Sequence, residues 1–380
     1  MSPQSQSGVE RDSGCALSTL RHKTVSCMSC DESEHVVDSV SPVICNASLA
    51  HNSILSDQNV EIVSHVAAHG ENGSEFSISC SKTCGNENVL SCVALNVCGV
   101  RSKLLSPDFV EFISMHDIVC LSETMLDDTD TIEIPGYVTF YKNRSKYKKK
   151  SGGILVLASD TIVDHITIFE EKSKLNKISE ENKRYYSGVD GRLCDNVLFF
   201  KLDRQILGHD TLFCSVYIPP EGSKYENKEV FVELEEALVN FGVDEDYICF
   251  LGDFNARTGS LSELIVQSDE DEESGAGDVV VLDSLVFDDR VSQDKHTNTI
   301  GHRLVDFCKV VGLVIVNGRT GDDATVGKLT CRNASVVDYA IVSCNLYPLV
   351  RNFTVCDFCD LFSDVHCPVV LALQREATFS

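Results

Sequence analysis

From Val89 onward the chain alternates short apolar runs with segments whose apolar residues recur every three or four positions. The runs "VLSCVALN" (89–96), "DIVCLSE" (117–123), "GGILVLAS" (152–159), "NVLFFKL" (196–202), "TLFCSVY" (211–217) and "YICFLGDFN" (247–255) have strand length, and two more, "SVVDYAIVS" and "CPVVLAL", follow late in the chain. Between them, "SPDFVEFI" offers Ser106 as N-cap, Pro107 at the first helical position, and Phe109, Phe112 and Ile113 on one face. Phe231, Leu234, Leu238 and Phe241 take helical spacing in "NKEVFVELEEALVNF", and Leu304, Phe307 and Val311 do so after Gly301. Strands outnumber helices, and several are apolar throughout, the pattern of strands covered on both faces. The economical architecture is a layered α/β sandwich, two packed sheets with helices outside.

The first 88 residues lack this texture. They are rich in Ser, Asn, His, Cys and acidic residues and hold no sustained period, so this segment is expected to be largely disordered and the folded domain to span 89–375. No internal repeat is present, and the acidic stretch 269–278 reads as a surface insertion. The 18 cysteines are spread through a large domain and many lie inside apolar strands, as reduced, buried thiols do. Cys27/Cys30 with Cys80/Cys84 are spaced unlike a compact zinc module, and Cys356/Cys359 read as a strand-to-loop coincidence. The opening residues lack the apolar core of a signal peptide, and no run is long enough to cross a membrane. An intracellular location with no membrane partner is expected.

Charge narrows the partner class. The formal net charge of -26 is the wrong sign for a protein that grips nucleic acid with its whole surface, but six of the nine residues from Lys142 to Lys150 are basic. Taken alone, that run is a solvated loop.

Polar residues then recur at strand ends: Asn96, Glu123, Tyr217, and Asp253 with Asn255, while Asp338 lies in one late strand and His366 precedes the other. One polar residue at a strand end is only where chain meets water; several of matching chemistry imply a shared lip. Carboxylates without paired cysteines or multiple histidines are hard oxygen donors, suited to Mg²⁺ or Mn²⁺. Phosphodiester hydrolysis needs a base for water, a cation and donors to phosphate oxygens. Asp253 can be the base, Glu123 and Asp338 metal ligands, and Asn96, Asn255, Tyr217 and His366 donors.

The ordered spellings "LNVCGV", "LSET", "KSGGILV", "VYIPPEGS", "LGDFNARTG", "VVDYAIVS" and "SDVHCPV" resemble the endonuclease/exonuclease/phosphatase superfamily, most closely the apurinic-endonuclease-like domain of non-LTR (LINE-type) retrotransposons. The resemblance covers about Val89 to Leu373. It implies a four-layer α/β sandwich with its site at one lip of the sheets. Glu123 would bind the metal, Asp253 activate water and Asn255 position it. Asn96 and Tyr217 would contact the scissile phosphate, Asp338 support the site, and His366 stabilise the transition state. It also places Lys146, Lys148, Lys149 and Lys150, just before the "GG" strand, near DNA.

Two departures stand out. Cys98 replaces an aspartate common in relatives, and "SDVHCPV" has Val365 where an aspartate usually precedes the histidine. A bulge would let Asp364 still orient His366; otherwise that pair is broken. The expectation is a Mg²⁺- or Mn²⁺-dependent DNA endonuclease, nuclear and of retrotransposon descent. A small-substrate phosphatase and a catalytically inactive nucleic-acid-binding module stay open. No reverse transcriptase follows Ser380, so a stand-alone fragment or a repurposed nuclease domain is expected.

Overall fold

The computed structural model describes residues 63–69, 75–81, 88–144, 150–241, 247–264 and 287–376, which lie in one compact unit, Asn59–Ser380. The first elements, β1 (Val63–His69) and β2 (Glu75–Ser81), pair antiparallel as a two-stranded ladder. They fall inside the stretch expected to lack order; the alternation of Phe76, Ile78 and Cys80 is a short signal in a polar surrounding. The remainder of residues 1–87 lies outside the described residues.

Next come β3 (Val89–Asn96), α1 (Val100–Lys103), α2 (Pro107–Ser114), β4 (Ile118–Ser122), β5 (Tyr137–Lys142) and β6 (Ile154–Ser159). The chain continues through β7 (Ile166–Glu171), β8 (Tyr186–Val189), β9 (Val197–Leu202), α3 (Arg204–Leu207), β10 (Thr211–Tyr217), α4 (Val230–Asn240) and β11 (Ile248–Asp253). It closes with α5 (Thr299–Val311), β12 (Leu313–Ile315), β13 (Asp338–Ser343), β14 (Val350–Val355) and β15 (Val369–Gln374). One sheet has the order β14-β15-β3-β4-β6-β5, the other β12-β13-β11-β10-β9-β7-β8.

Period-two alternation sorts each central strand between two cores. In β3, Leu90, Cys92 and Ala94 face the layer between the sheets, where Phe200, Phe213, Leu251 and Leu371 meet them. Val93 and Leu95 face outward onto Phe109, Val110 and Ile113 of α2. In β11, Cys249 and Leu251 point to the inter-sheet core, and Phe250 points out to Phe307 of α5 in the cluster shared with α4. Helix, sheet, sheet and helix therefore stack as four layers, which is why these strands are apolar on both faces.

The helices start where local chemistry stops their orphan amides. Ser106 Oγ accepts from Phe109 N–H at 3.4 Å, with Pro107 at the first position. Asn298 Oδ1 accepts from Gly301 N–H at 2.7 Å. Gly301 thus lies inside α5 rather than before it, and a Cβ there would come within 1.9 Å of Arg257 O. The strand expected over 335–343 begins only at Asp338, because Cys331 and Ser335 exchange backbone hydrogen bonds across a tight turn.

Candidate active site

Strand direction assembles the site. β3 runs parallel to β4 and β10 parallel to β11, so both pairs deliver their C-terminal ends to the same edge. In register, Asn96 lies opposite Ser122, and Tyr217 opposite Asp253. β13 and β15 run antiparallel to their neighbours, so their N-terminal ends reach that lip: Asp338 pairs with Asp253, and His366 precedes β15. Gly252 permits the close approach of β11 to β10. Its φ is +146°, and a Cβ there would lie 2.2 Å from Val216 O.

The side chains converge on Asp253, which is 1 % exposed. Its Oδ2 accepts from Asn96 Nδ2 at 2.9 Å and Asn255 Nδ2 at 3.2 Å, and its Oδ1 accepts from Asn255 N–H at 2.8 Å. His366 Nε2 stands 3.9 Å from Asp253 Oδ2, while its Nδ1 lies 2.9 Å and 3.1 Å from the two oxygens of Asp338. Asp253, Asp338 and His366 each offer a donor atom within 4.8 Å of the others. Beside them, Tyr217 Oη donates to Glu123 Oε1.

Backbone strain marks the same place. Cys98, Glu123 and Asn255 have φ of +49°, +50° and +48°, a conformation costing non-glycine residues about 1–3 kcal/mol each. The turn at Glu123 is held by Gly99 N–H donating to Glu123 O at 2.8 Å and Met125 N–H donating to Gly152 O at 2.9 Å. It re-aims the glutamate just as β4 ends.

Electrostatics follow from burial and from charges packed together. Burial, then the Asp338 charge, push the Asp253 carboxyl upward. Burial opposes a charged His366, but Asp338, through its charge and hydrogen bond, with Cys331 and Asp253, outweighs it and holds the imidazole well above its ordinary range. Burial and Glu123 raise the Tyr217 phenol, which stays protonated as a donor. The cluster is thus built to keep a proton on His366 between two carboxylates.

Asn96, Glu123, Tyr217, Asp253, Asn255, Asp338 and His366 are brought together; Asp364 is not. Its side chain is 63 % exposed and its Oδ1 accepts from Lys103 Nζ at 2.7 Å. The expectation that Asp364 orients the histidine is corrected: Asp338, reaching across from the neighbouring sheet, supplies the carboxylate. Lys146, Lys148 and Lys149 lie outside the described residues. Lys150 is paired with Asp130 at 2.7 Å and Asp127 at 3.2 Å.

Three positioning residues escaped the sequence reading. Ser363 Oγ donates to Asn96 O at 2.6 Å and accepts from His366 N–H at 3.1 Å, tying two site residues together. Thr330 Oγ1 accepts from Asp338 N–H at 3.1 Å, and Asn298 Nδ2 donates to Asn255 O at 2.9 Å. Ser363, three residues before the histidine, was the one with a local signal.

No family model and no curated protein matches this sequence. Among solved structures, the AP endonuclease LMAP from Leishmania major is similar at 14 % identity with a TM-score of 0.52, over 77 % of this chain and 90 % of that one. The endonuclease domain of TRAS1, a telomere-specific non-LTR retrotransposon, aligns at 13 % identity and a TM-score of 0.46, over 75 % and 98 %. The Xenopus laevis APE2 catalytic domain aligns at 15 % and 0.47, over 76 % and 94 %. The likeness to LMAP establishes a shared fold.

Proposed function

We propose that the chain is a divalent-metal-dependent phosphodiesterase of the endonuclease/exonuclease/phosphatase superfamily, a DNA endonuclease of retrotransposon descent that cuts one strand and works in the nucleus. The observation that carries this reading is the buried Asp253–His366–Asp338 cluster at the lip of two sheets.

Asp253, held by Asn96 and Asn255 and raised by its surroundings, is a carboxylate poised to take a proton from water. The water oxygen bonds to phosphorus, the P–O3′ bond breaks, and the 3′ oxygen takes a proton from solvent water to leave as a hydroxyl. His366, kept cationic by Asp338, offsets charge developing on the phosphoryl oxygens. Tyr217 adds a neutral donor beside Glu123.

Glu123 is half-buried, and Tyr217 is the side-chain partner it has among the described residues. The Glu123 carboxylate, with that of Asp338 in the buried cluster, would supply hard-oxygen donors suited to Mg²⁺ or Mn²⁺. Such an ion, bound there, would neutralise phosphate charge and polarise the ester. The inactive-module alternative rested on Val365; the Asp338 carboxylate 2.9 Å from His366 Nδ1 favours the active reading. Among the described residues no helix is long and apolar enough to cross a membrane.

The test is nicking of supercoiled plasmid with Mg²⁺, with Mn²⁺ and with EDTA. Asp253→Asn should slow turnover by about 10²-fold or more, the scale of general-base catalysis, and leave binding of uncut DNA intact. Glu123→Gln should raise the Mg²⁺ concentration needed. A parent protein that cuts no phosphodiester with either metal, or an Asp253→Asn protein as fast as the parent, would refute the reading.

A further inference from the structure

A protein of charge -26 repels a polyanion at long range, so the cations that meet it must be local and uncommitted. Most described cations around the site are already spent within the protein. Lys103 holds Asp364 at 2.7 Å, and Lys150 holds Asp130 and Asp127. Arg257 grips Asp294 through two hydrogen bonds of 2.6 and 2.8 Å, and Lys328 pairs with Asp357 at 2.7 Å.

Two arginines differ. The Arg144 guanidinium lies over the rings of Tyr217 and Tyr225, its Cζ 5.2 Å and 4.6 Å from their centroids. Among the described residues no carboxylate or carbonyl takes its N–H groups. Its berth is built: Gly152 has φ +63°, and a Cβ there would stand 2.7 Å from Arg144 Cζ. Stacking fixes the guanidinium plane and leaves its edge free, a preorganised donor for phosphate oxygens.

Arg332 occupies the tight turn after Cys331. Its backbone N–H donates to Val365 O at 2.8 Å, and it and Asn333 have φ of +49° and +50°. Its exposed guanidinium has no acceptor among the described residues. It lines a cavity of about 360 Å³ with Asn333, Phe358, Asp364, Val365 and Cys367, so the cavity wraps the residues on either side of His366. Phe358, 46 % exposed, offers a ring face there.

The two lie at opposite ends of one row. Tyr217, Asp253 and Asp338 sit in register on adjacent strands β10, β11 and β13, a row spanning about 10 Å at the usual strand spacing of about 4.8 Å. Arg144 stacks on the Tyr217 end. Arg332 stands at the other, where Asp338 holds His366 and Cys331 bridges to it. We infer that Arg144 and Arg332 bind phosphates of the substrate strand on the two sides of the bond to be cut, with the cavity beside Arg332 receiving a neighbouring nucleotide against Phe358. This inference rests on the proposed reading of the substrate as DNA.

The experiment is fluorescence anisotropy of a labelled DNA duplex in EDTA, so that binding is read without cleavage, at several salt concentrations. Arg144→Gln and Arg332→Gln should each flatten the slope of log affinity against log salt by about 0.9, and the double variant by about twice that. Arg351→Gln, the same charge change at the far end of β14, should leave the slope unchanged. If a glutamine variant misfolds, Arg144→Lys or Arg332→Lys restores the charge and should restore the slope. A double variant with the parental slope overturns the inference while plasmid nicking by the parent leaves the nuclease reading standing. A parent that shows neither salt-dependent DNA binding nor nicking overturns both.

Discussion

At His366 two carboxylates act on the two ring nitrogens, Asp338 at 2.9 Å on Nδ1 and Asp253 at 3.9 Å on Nε2. The sequence offered Asp364 for this task because it is two residues away; the structure uses a residue 28 positions upstream. Proximity in sequence misled because the loop before β15 turns Asp364 outward to Lys103. Asp338→Asn tests the pairing. Without that charge the imidazole should titrate nearer its ordinary value of about 6.5, and the alkaline limb of the kcat/KM profile should move to lower pH. Linkage fixes the sign for stability. A folded-state value raised above the unfolded one gives a contribution that is full below about pH 6.5 and declines as pH rises toward the folded value. The gap in urea midpoint between parent and Asp338→Asn should therefore be wider at pH 6 than at pH 9. An unchanged pH–rate profile would show that Asp338 does not set the charge of His366.

At the scale of elements, the strands that hold the site were legible because each is apolar on both faces, and β3, β4, β10 and β11 end within a residue or two of where alternation ends. The edge strand β8 and its neighbour β7 were not, because β8 has only four residues, none fully buried, and β7 is only partly covered. Register was also beyond the sequence, and Gly252 shows why it matters. The glycine is readable as a gap in an apolar run, but its reason, the carbonyl of Val216, belongs to another strand. Gly252→Ala should force β10 and β11 apart at the point where Tyr217 and Asp253 are paired. The expected cost is about 1–3 kcal/mol, as for other overpacked interiors, with a larger proportional loss of nicking than of stability. Thermal melting beside the plasmid assay separates the two, and parental values in both would place no constraint at Gly252.

For the whole molecule, the division of the chain is open to a direct test. Residues 1–86 carry few periodic apolar faces, and the β1–β2 ladder, which runs beside α2, belongs to neither large sheet. A protein lacking residues 1–86 is expected to keep a single cooperative unfolding transition and its nicking activity. Loss of cooperativity in a urea titration would move the domain boundary upstream of Val89. Elsewhere more than half of the described cations pair with carboxylates of the protein itself, so salt should weaken DNA binding through few contacts and a shallow slope.

Periodicity, a local property, was enough to show strands covered on both faces with helices outside, since each strand records in its own residues whether one face or both are covered. Residue chemistry at strand ends likewise marked Asn96, Glu123, Tyr217, Asp253, Asn255, Asp338 and His366 as candidates. Which of them touch was decided only by tertiary structure, because strand direction and register, set by packing between distant segments, bring Asp338 opposite Asp253 and His366 between them. The same holds for charge. The sequence counts Lys150 and Arg332 alike as cations, but folding neutralises Lys150 against Asp130 and Asp127 and leaves Arg332 beside the site, since an ion pair depends on where two side chains meet in space.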